Sequence, residues 1–166
     1  MAVLLLEDKI VVDDEASIDK LSQKGFGKQS GDTLELSSLE ALYLVERGSI
    51  SVTQDGNEVP AADLAKRLDE RDFSLRYRVY SDLRDRGYVL KTGFKFGAHF
   101  RVYERGGFPK EHSKYLVHAV PEDYSISLPE VARAVRLAQG VKKTLIFAAV
   151  DEDGDVTYYS IDRITP

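Results

Sequence analysis

Seven consecutive uncharged residues, Thr144-Leu-Ile-Phe-Ala-Ala-Val150, stand between Val141-Lys-Lys143 and the acidic run Asp151-Glu-Asp-Gly-Asp155. A segment this short and this apolar suits a central β-strand with both faces covered, so the chain must supply further strands and covering layers. It is also far short of the roughly 20 apolar residues that a membrane span needs. Asp153-Gly154 then turns the chain into a last strand over residues 156–161. Counting from Asp151, the sixth residue is Val156, where an EF-hand loop needs glycine, so a hairpin explains the acidic run better than a calcium site.

Elsewhere the chain alternates strand and helix signals. Residues 4–12 read as two strand segments around a Glu7-Asp8 turn, and Asp13 or Asp14 caps a short helix that ends near Gly25. Ser37 with Glu40, and Ser127 with Glu130, each form a capping box that opens a helix. The first of these helices stops at Gly48 and the second, with Pro129 in its first turn, at Gly140. Residues 50–52 read as a strand, Asp55-Gly56 as a hairpin turn, and Pro60 as the opening of another helix. A long charged helix is predicted over residues 73–86, strands over 88–91, 99–104 and 115–120, and a turn over 93–97. The fold class expected is α+β, with a mixed sheet in the second half.

Charge divides the chain. Residues 1–70 hold 7 basic and 15 acidic side chains, residues 71–143 hold 15 and 8, and residues 144–166 hold one and five. A domain boundary is therefore expected near residues 68–76, giving domains 1–70 and 71–166. A basic middle between acidic ends can bind a polyanion although the net charge is −5. There is no cysteine, which excludes disulfides, thiolate zinc sites and cysteine nucleophiles. The N-terminus turns acidic at Glu7 and has no basic leader, so a soluble, cytoplasmic chain is expected.

The histidines are three. His99 and His118 fall in strand patterns, where packing is their ordinary role, whereas His112 stands in the polar stretch Lys110-Glu-His-Ser-Lys114 just before a strand. Their spacing is not that of metal ligands, and no metal or cofactor is expected. Glycines 93, 97, 106 and 107 make no phosphate-binding fingerprint, and serine hydrolase and kinase motifs are absent.

Three segments taken together are more informative: Lys95-Phe-Gly-Ala-His-Phe-Arg-Val-Tyr103, His112-Ser-Lys-Tyr-Leu-Val117, and Val141-Lys-Lys143 before the apolar strand. With Leu36-Ser-Ser-Leu-Glu-Ala-Leu-Tyr-Leu44 and Tyr77-Arg-Val-Tyr-Ser-Asp-Leu-Arg-Asp-Arg-Gly87, they make a chain that resembles the archaeal tRNA-splicing endonuclease family over nearly its whole length. His99 is a departure, since the resemblance leads one to expect an acidic residue there.

The resemblance implies a small α/β N-terminal domain followed by a nuclease-like C-terminal domain. It also implies a tyrosine, histidine and lysine triad, mapped here to Tyr103, His112 and Lys143. Lys142 is the rival for the third position, and Lys143 is favoured because it directly precedes the apolar strand. In the implied reaction the ribose 2′-OH attacks its own phosphate without a metal, leaving a 2′,3′-cyclic phosphate and a 5′-OH. Tyr103 would serve as base, His112 as acid and Lys143 as electrostatic stabiliser. A tyrosine ordinarily ionises near pH 10, and a neighbouring cation eases that demand.

Arg136, seven residues before Lys143, best matches the family's cationic clamp on a flipped bulge base, with Arg133 at i, i+3 spacing beside it. The implied substrate is precursor tRNA at its bulge–helix–bulge junctions. Two cuts and one triad per chain imply a homo-oligomer, with a homotetramer favoured. An acidic loop and a last strand form subunit contacts in the family, and Asp151, Glu152, Asp153, Asp155, Val156 and Tyr158 match them. The alternative is a non-catalytic, RNA-binding structural subunit. A metal-dependent nuclease ranks last, because no lysine follows the one dense carboxylate run.

Overall fold

The structure, a computed structural model, describes residues 1–67 and 72–166. The expected boundary between residues 70 and 71 lies outside the described residues. By internal packing the chain divides into two compact units, Met1–Phe73 and Ser74–Pro166.

The first unit contains β1 (Ala2–Leu6), β2 (Lys9–Val12), α1 (Glu15–Gln23), β3 (Lys28–Ser30), β4 (Thr33–Leu36), α2 (Ser38–Glu46), β5 (Ser51–Gln54), β6 (Asn57–Val59) and α3 (Ala61–Arg67). Alternation in β1 buries Val3 and Leu5 and leaves Leu4 and Leu6 outward, so one face of the sheet carries the core. The six strands lie in the order β3-β4-β2-β1-β5-β6. β1 pairs in parallel with β5, and the other neighbours are antiparallel. Asp14 caps α1 by accepting from the Ser17 amide at 2.9 Å. Asp55 and Gly56 both take positive φ, as a two-residue hairpin turn requires. The hairpin of β3 and β4 was not expected from sequence. Lys28, Gln29 and Ser30 are all exposed and carry no apolar alternation, so β3 exists through its ladder with β4 rather than through its own side chains.

Ser37 and Glu40 form the expected capping box, but Glu40 does more than close it. Its carboxylate accepts from the Ser37 amide at 2.8 Å and from the Gly27 amide at 2.9 Å, and the side chain is buried. It thereby ties the start of α2 to the loop after α1.

The second unit contains α4 (Phe73–Asp85) from its second residue on, β7 (Val89–Thr92), a 3-10 turn (Phe94–Phe96), β8 (Phe100–Tyr103), β9 (Tyr115–Pro121), α5 (Leu128–Gly140), β10 (Thr144–Val150) and β11 (Val156–Ile161). The sheet runs β11-β10-β9-β8-β7. It is mixed, as expected: β9 and β10 are parallel around the α5 crossover and the other pairs are antiparallel. The apolar run is indeed an inner strand. Leu145 and Phe147 face Val135 and Ala138 of α5. On the other face, α4 sets Tyr80 6.0 Å from the Phe100 ring, and Asp82 accepts from the Tyr158 hydroxyl at 2.6 Å. The second capping box, Ser127 with Glu130 and with Pro129 in the first turn, opens α5.

His118 is packed into this sheet, its ring stacked 5.4 Å from Phe147 and edge-on to His99 at 6.0 Å. Burial, and then the neighbouring His99, push its pKa from 6.5 down to about 4. The unfolded chain takes up this proton near pH 6.5 and the folded one only near 4, so acid favours unfolding between those values. Urea titrations should therefore show stability falling as pH drops from 6.5 towards 4, and His118→Gln should flatten that slope. In the first unit, Glu40→Ala should cost about 2 kcal/mol, because two backbone donors lose a buried anionic acceptor. Glu130→Ala, in the exposed box, should shift the urea midpoint less.

Candidate active site

Residues two apart on a strand share a face, so Arg101 and Tyr103 lie on the side of the sheet that carries α5. Tyr103 ends β8 with its ring buried, edge-on to Phe108 at 5.1 Å. Its hydroxyl oxygen accepts from Arg101 Nη1 at 3.0 Å. Arg101 Nε in turn donates to the Thr92 carbonyl at 3.2 Å, so the guanidinium is fixed at two points. Arg101 was not expected as a site residue. The signal available in sequence was its i, i+2 relation to Tyr103.

The chain then leaves the sheet for a loop over residues 104–114, and the loop's two ends are clamped together. Glu104 accepts from Lys114 Nζ at 2.6 Å and from the Tyr115 hydroxyl at 2.8 Å, while the Lys114 amide donates to the Val102 carbonyl at 2.8 Å. The bonds from Lys114 and Tyr115 hold the Glu104 carboxyl below the usual carboxylate range. His112 is exposed near the end of this loop, and Ser113 beside it is buried.

Lys143 reaches the same place from α5. The helix ends at Gly140, as expected, and two residues later Lys142 takes the left-handed conformation with φ 57°. The Lys143 amide then bonds back to the Ala138 carbonyl at 2.9 Å and the Lys142 amide to Gln139 at 3.0 Å, the pattern of a Schellman closure. This turn leaves Lys142 exposed and sends Lys143 towards the loop, where its Nζ donates to the Ser113 carbonyl at 2.6 Å. β10 begins only at Thr144, so the turn and not strand alternation separates the two lysines. Burial, and then the charge of Arg101, lower the Lys143 pKa below its usual value.

Of the residues expected to act, Tyr103 and Lys143 thus share Arg101 as a neighbour, and Lys143 is bonded to the residue next to His112. Arg133 and Arg136 lie exposed on α5, with Arg133 close enough to Glu130 to help lower its carboxyl. The acidic run is a hairpin turn in which the Asp151 carboxylate accepts from the Asp155 amide at 2.8 Å, and Glu152 and Asp153 are exposed. It lies past the far end of β10 from Lys143. On β11, an edge strand, Val156 is half-buried and Tyr158 turns to Asp82 of its own chain. His99 Nδ1 accepts from the Ala119 amide at 2.9 Å, an acceptor role that an acidic side chain could equally fill. Among the described residues no group of three or more His, Asp or Glu stands where it could hold a metal ion. No described helix is long and apolar enough to cross a membrane.

Residues 73–158 match the catalytic C-terminal domain of tRNA intron endonucleases, and residues 1–65 match their N-terminal domain. The chain belongs to the tRNA intron endonuclease family. A tRNA-splicing endonuclease of Methanothermobacter thermautotrophicus is 43% identical over 164 residues, covering 97% of this chain and 96% of that one. One of Thermococcus gammatolerans is 46% identical over 160 residues, covering 95% and 94%. A third, of Methanococcoides burtonii, is 41% identical over 166 residues, which are 96% of this chain but 47% of that one. The α+β architecture with two compact units agrees with the two matched endonuclease domains.

The two causes that lower the Lys143 pKa can be separated. Arg101→Gln should raise it part of the way back towards 10.5, because burial, the larger cause, persists. An NMR titration of the Lys143 side chain reads this directly, and an unmoved value would show that the guanidinium charge does not reach the amine.

Proposed function

We propose that this endonuclease cuts precursor tRNA at bulge–helix–bulge junctions by a metal-free transesterification. The observation that carries the reading is the bond from Lys143 Nζ to the Ser113 carbonyl, with Arg101 linking the same lysine's surroundings to the Tyr103 hydroxyl. The clamp of Glu104 and Lys114 ties together the ends of the loop that carries His112, which supports a role for that histidine in the same centre. Tyr103, acting as its phenolate, takes the 2′-OH proton and becomes the neutral phenol while the 2′ oxygen attacks phosphorus. Lys143 and Arg101 offer positive charge to the pentacoordinate phosphate, and His112 donates a proton to the departing 5′ oxygen. The ends are a 2′,3′-cyclic phosphate and a 5′-OH, and the atoms balance without an added water or metal.

Two cuts require two such centres, and each chain has one, so the working enzyme is a homo-oligomer, a homotetramer by preference. β11 leaves one edge unpaired within the chain, and the Asp151, Glu152, Asp153 and Asp155 turn projects beside it, which supports their role as subunit contacts. That the Methanococcoides relative is about twice as long as the matched region accords with a need for doubled units. The exposure of Arg136 and Arg133 on α5 supports a role in holding bulge nucleotides. The domain limits that go with this reading are 1–70 and 71–166.

The test is cleavage of a bulge–helix–bulge RNA by the purified chain in EDTA, with end-group analysis. Cyclic-phosphate and 5′-OH ends are expected. His112→Ala and Tyr103→Phe should each slow cleavage by about 10²- to 10⁴-fold while leaving RNA binding intact. Cleavage restored only by a divalent metal would overturn the mechanism. Tight, salt-sensitive binding without cleavage would favour a structural, RNA-binding subunit.

A further inference from the structure

The connection between β7 and β8 is built to hold one aromatic ring in water. Gly93 admits no side chain, since a Cβ there would lie 2.9 Å from both the Ala98 carbonyl oxygen and the Phe100 carbonyl carbon. Gly97 closes the turn in the left-handed conformation with φ 66°. Backbone bonds from Phe96 and Ala98 to the Gly93 carbonyl, at 2.9 and 3.1 Å, and from Gly93 to the His99 carbonyl at 3.1 Å leave the turn little freedom. Phe96 turns inward onto the α5 core, its ring centre 5.7 Å from Lys143 Nζ. Phe94, two residues earlier, is 73% exposed. The turn is anchored to the site through Thr92, whose carbonyl holds the guanidinium that also bonds Tyr103.

Cations line this turn. Lys95 follows Phe94 in the chain, Arg101 is bonded to the Thr92 carbonyl, and Lys143 Nζ stands 5.7 Å from the Phe96 ring centre. On α5, Leu137 is 44% exposed, and its side chain lies 3.3 Å from where a Gly97 Cβ would stand, so the helix face next to Arg136 adjoins the turn. A flat ring fixed in water among cations suits a ligand with its own π-face and attached negative charge. That is an unpaired nucleobase with its phosphates, whereas an apolar protein surface would have to bury those cations.

We propose that Phe94 is a stacking platform for an unpaired base of the RNA beside the cleaved bond. This rests on the splicing reading for its substrate, but it assigns a base contact to a residue outside the triad and the α5 arginines.

The test uses the full chain and a bulge–helix–bulge RNA carrying 2-aminopurine at one bulge position at a time, with 2′-deoxyribose at the cleavage sites to block reaction. Fluorescence reads stacking and titration reads affinity, while sedimentation reads assembly. The wild type should quench at one bulge position. Phe94→Ala and Phe94→Leu should lose that quenching and bind about tenfold more weakly, and Phe94→Trp should keep both. With the all-ribose RNA, Phe94→Ala should raise KM more than it lowers kcat. Quenching and affinity unchanged in Phe94→Ala and Phe94→Leu overturn the platform, while cleavage by the wild type keeps the splicing reading. Altered assembly in Phe94→Ala with normal quenching places the ring in a protein interface and likewise overturns it. Wild-type stacking lost in Phe94→Ala, but with no cleavage of the all-ribose RNA, upholds the platform and sinks the cleavage reading. A wild type that does not bind this RNA overturns both.

Discussion

Lys143 is drawn out of full solvation and beside another cation, two circumstances that disfavour its charged form. The bond from its amine to the Ser113 carbonyl offsets part of that cost, since a charge-assisted hydrogen bond is about twice as strong as a neutral one. Much of the second unit depends on this contact being made. It fixes the end of α5 against the end of the loop over residues 104–114. It does so where the parallel pairing of β9 and β10 starts, with the Thr144 amide on the Lys114 carbonyl at 2.9 Å. The loop that carries His112 is thus bounded by polar bonds at both ends rather than by packing.

Arg101 is the second cation of the cluster. With one donor on the Tyr103 hydroxyl and another on the Thr92 carbonyl, it joins the end of β8 to the end of β7. Two positive groups near each other are unfavourable in an isolated chain. The arrangement becomes favourable when a phosphate enters, because each cation then gains an anion in a partly dehydrated setting. The acidic excess of the chain lies elsewhere, in residues 1–70 and in residues 144–166.

Support for the site comes from both faces of the sheet. On one, α5 presses Val135 and Ala138 onto Leu145 and Phe147 and delivers Lys143 at its end. On the other, α4 contributes Tyr80 against Phe100 and Asp82 to the Tyr158 hydroxyl, whose pKa burial pushes well above its usual value. The strands between them are packed by a helix on each face, which holds the ends of β7, β8, β9 and β10 in register.

Local rules were enough to read many elements from the sequence. The capping boxes at Ser37 and Ser127, the Asp14 cap, the Asp55-Gly56 turn and the apolar strand at residues 144–150 are each set by neighbours a few residues away. The motif order carried the family, because it needs no knowledge of distance. What escaped the sequence was non-local. The parallel match of β1 to β5, the polar strand β3, the double role of Glu40 and the bridging place of Arg101 all depend on partners from distant segments or adjoining strands. The sequence favoured Lys143 over Lys142 by its place before the apolar strand, but the turn that gives the two lysines different surroundings was beyond it. Identical side chains are told apart by a left-handed turn at a non-glycine residue, a conformation that costs on the order of 1 kcal/mol.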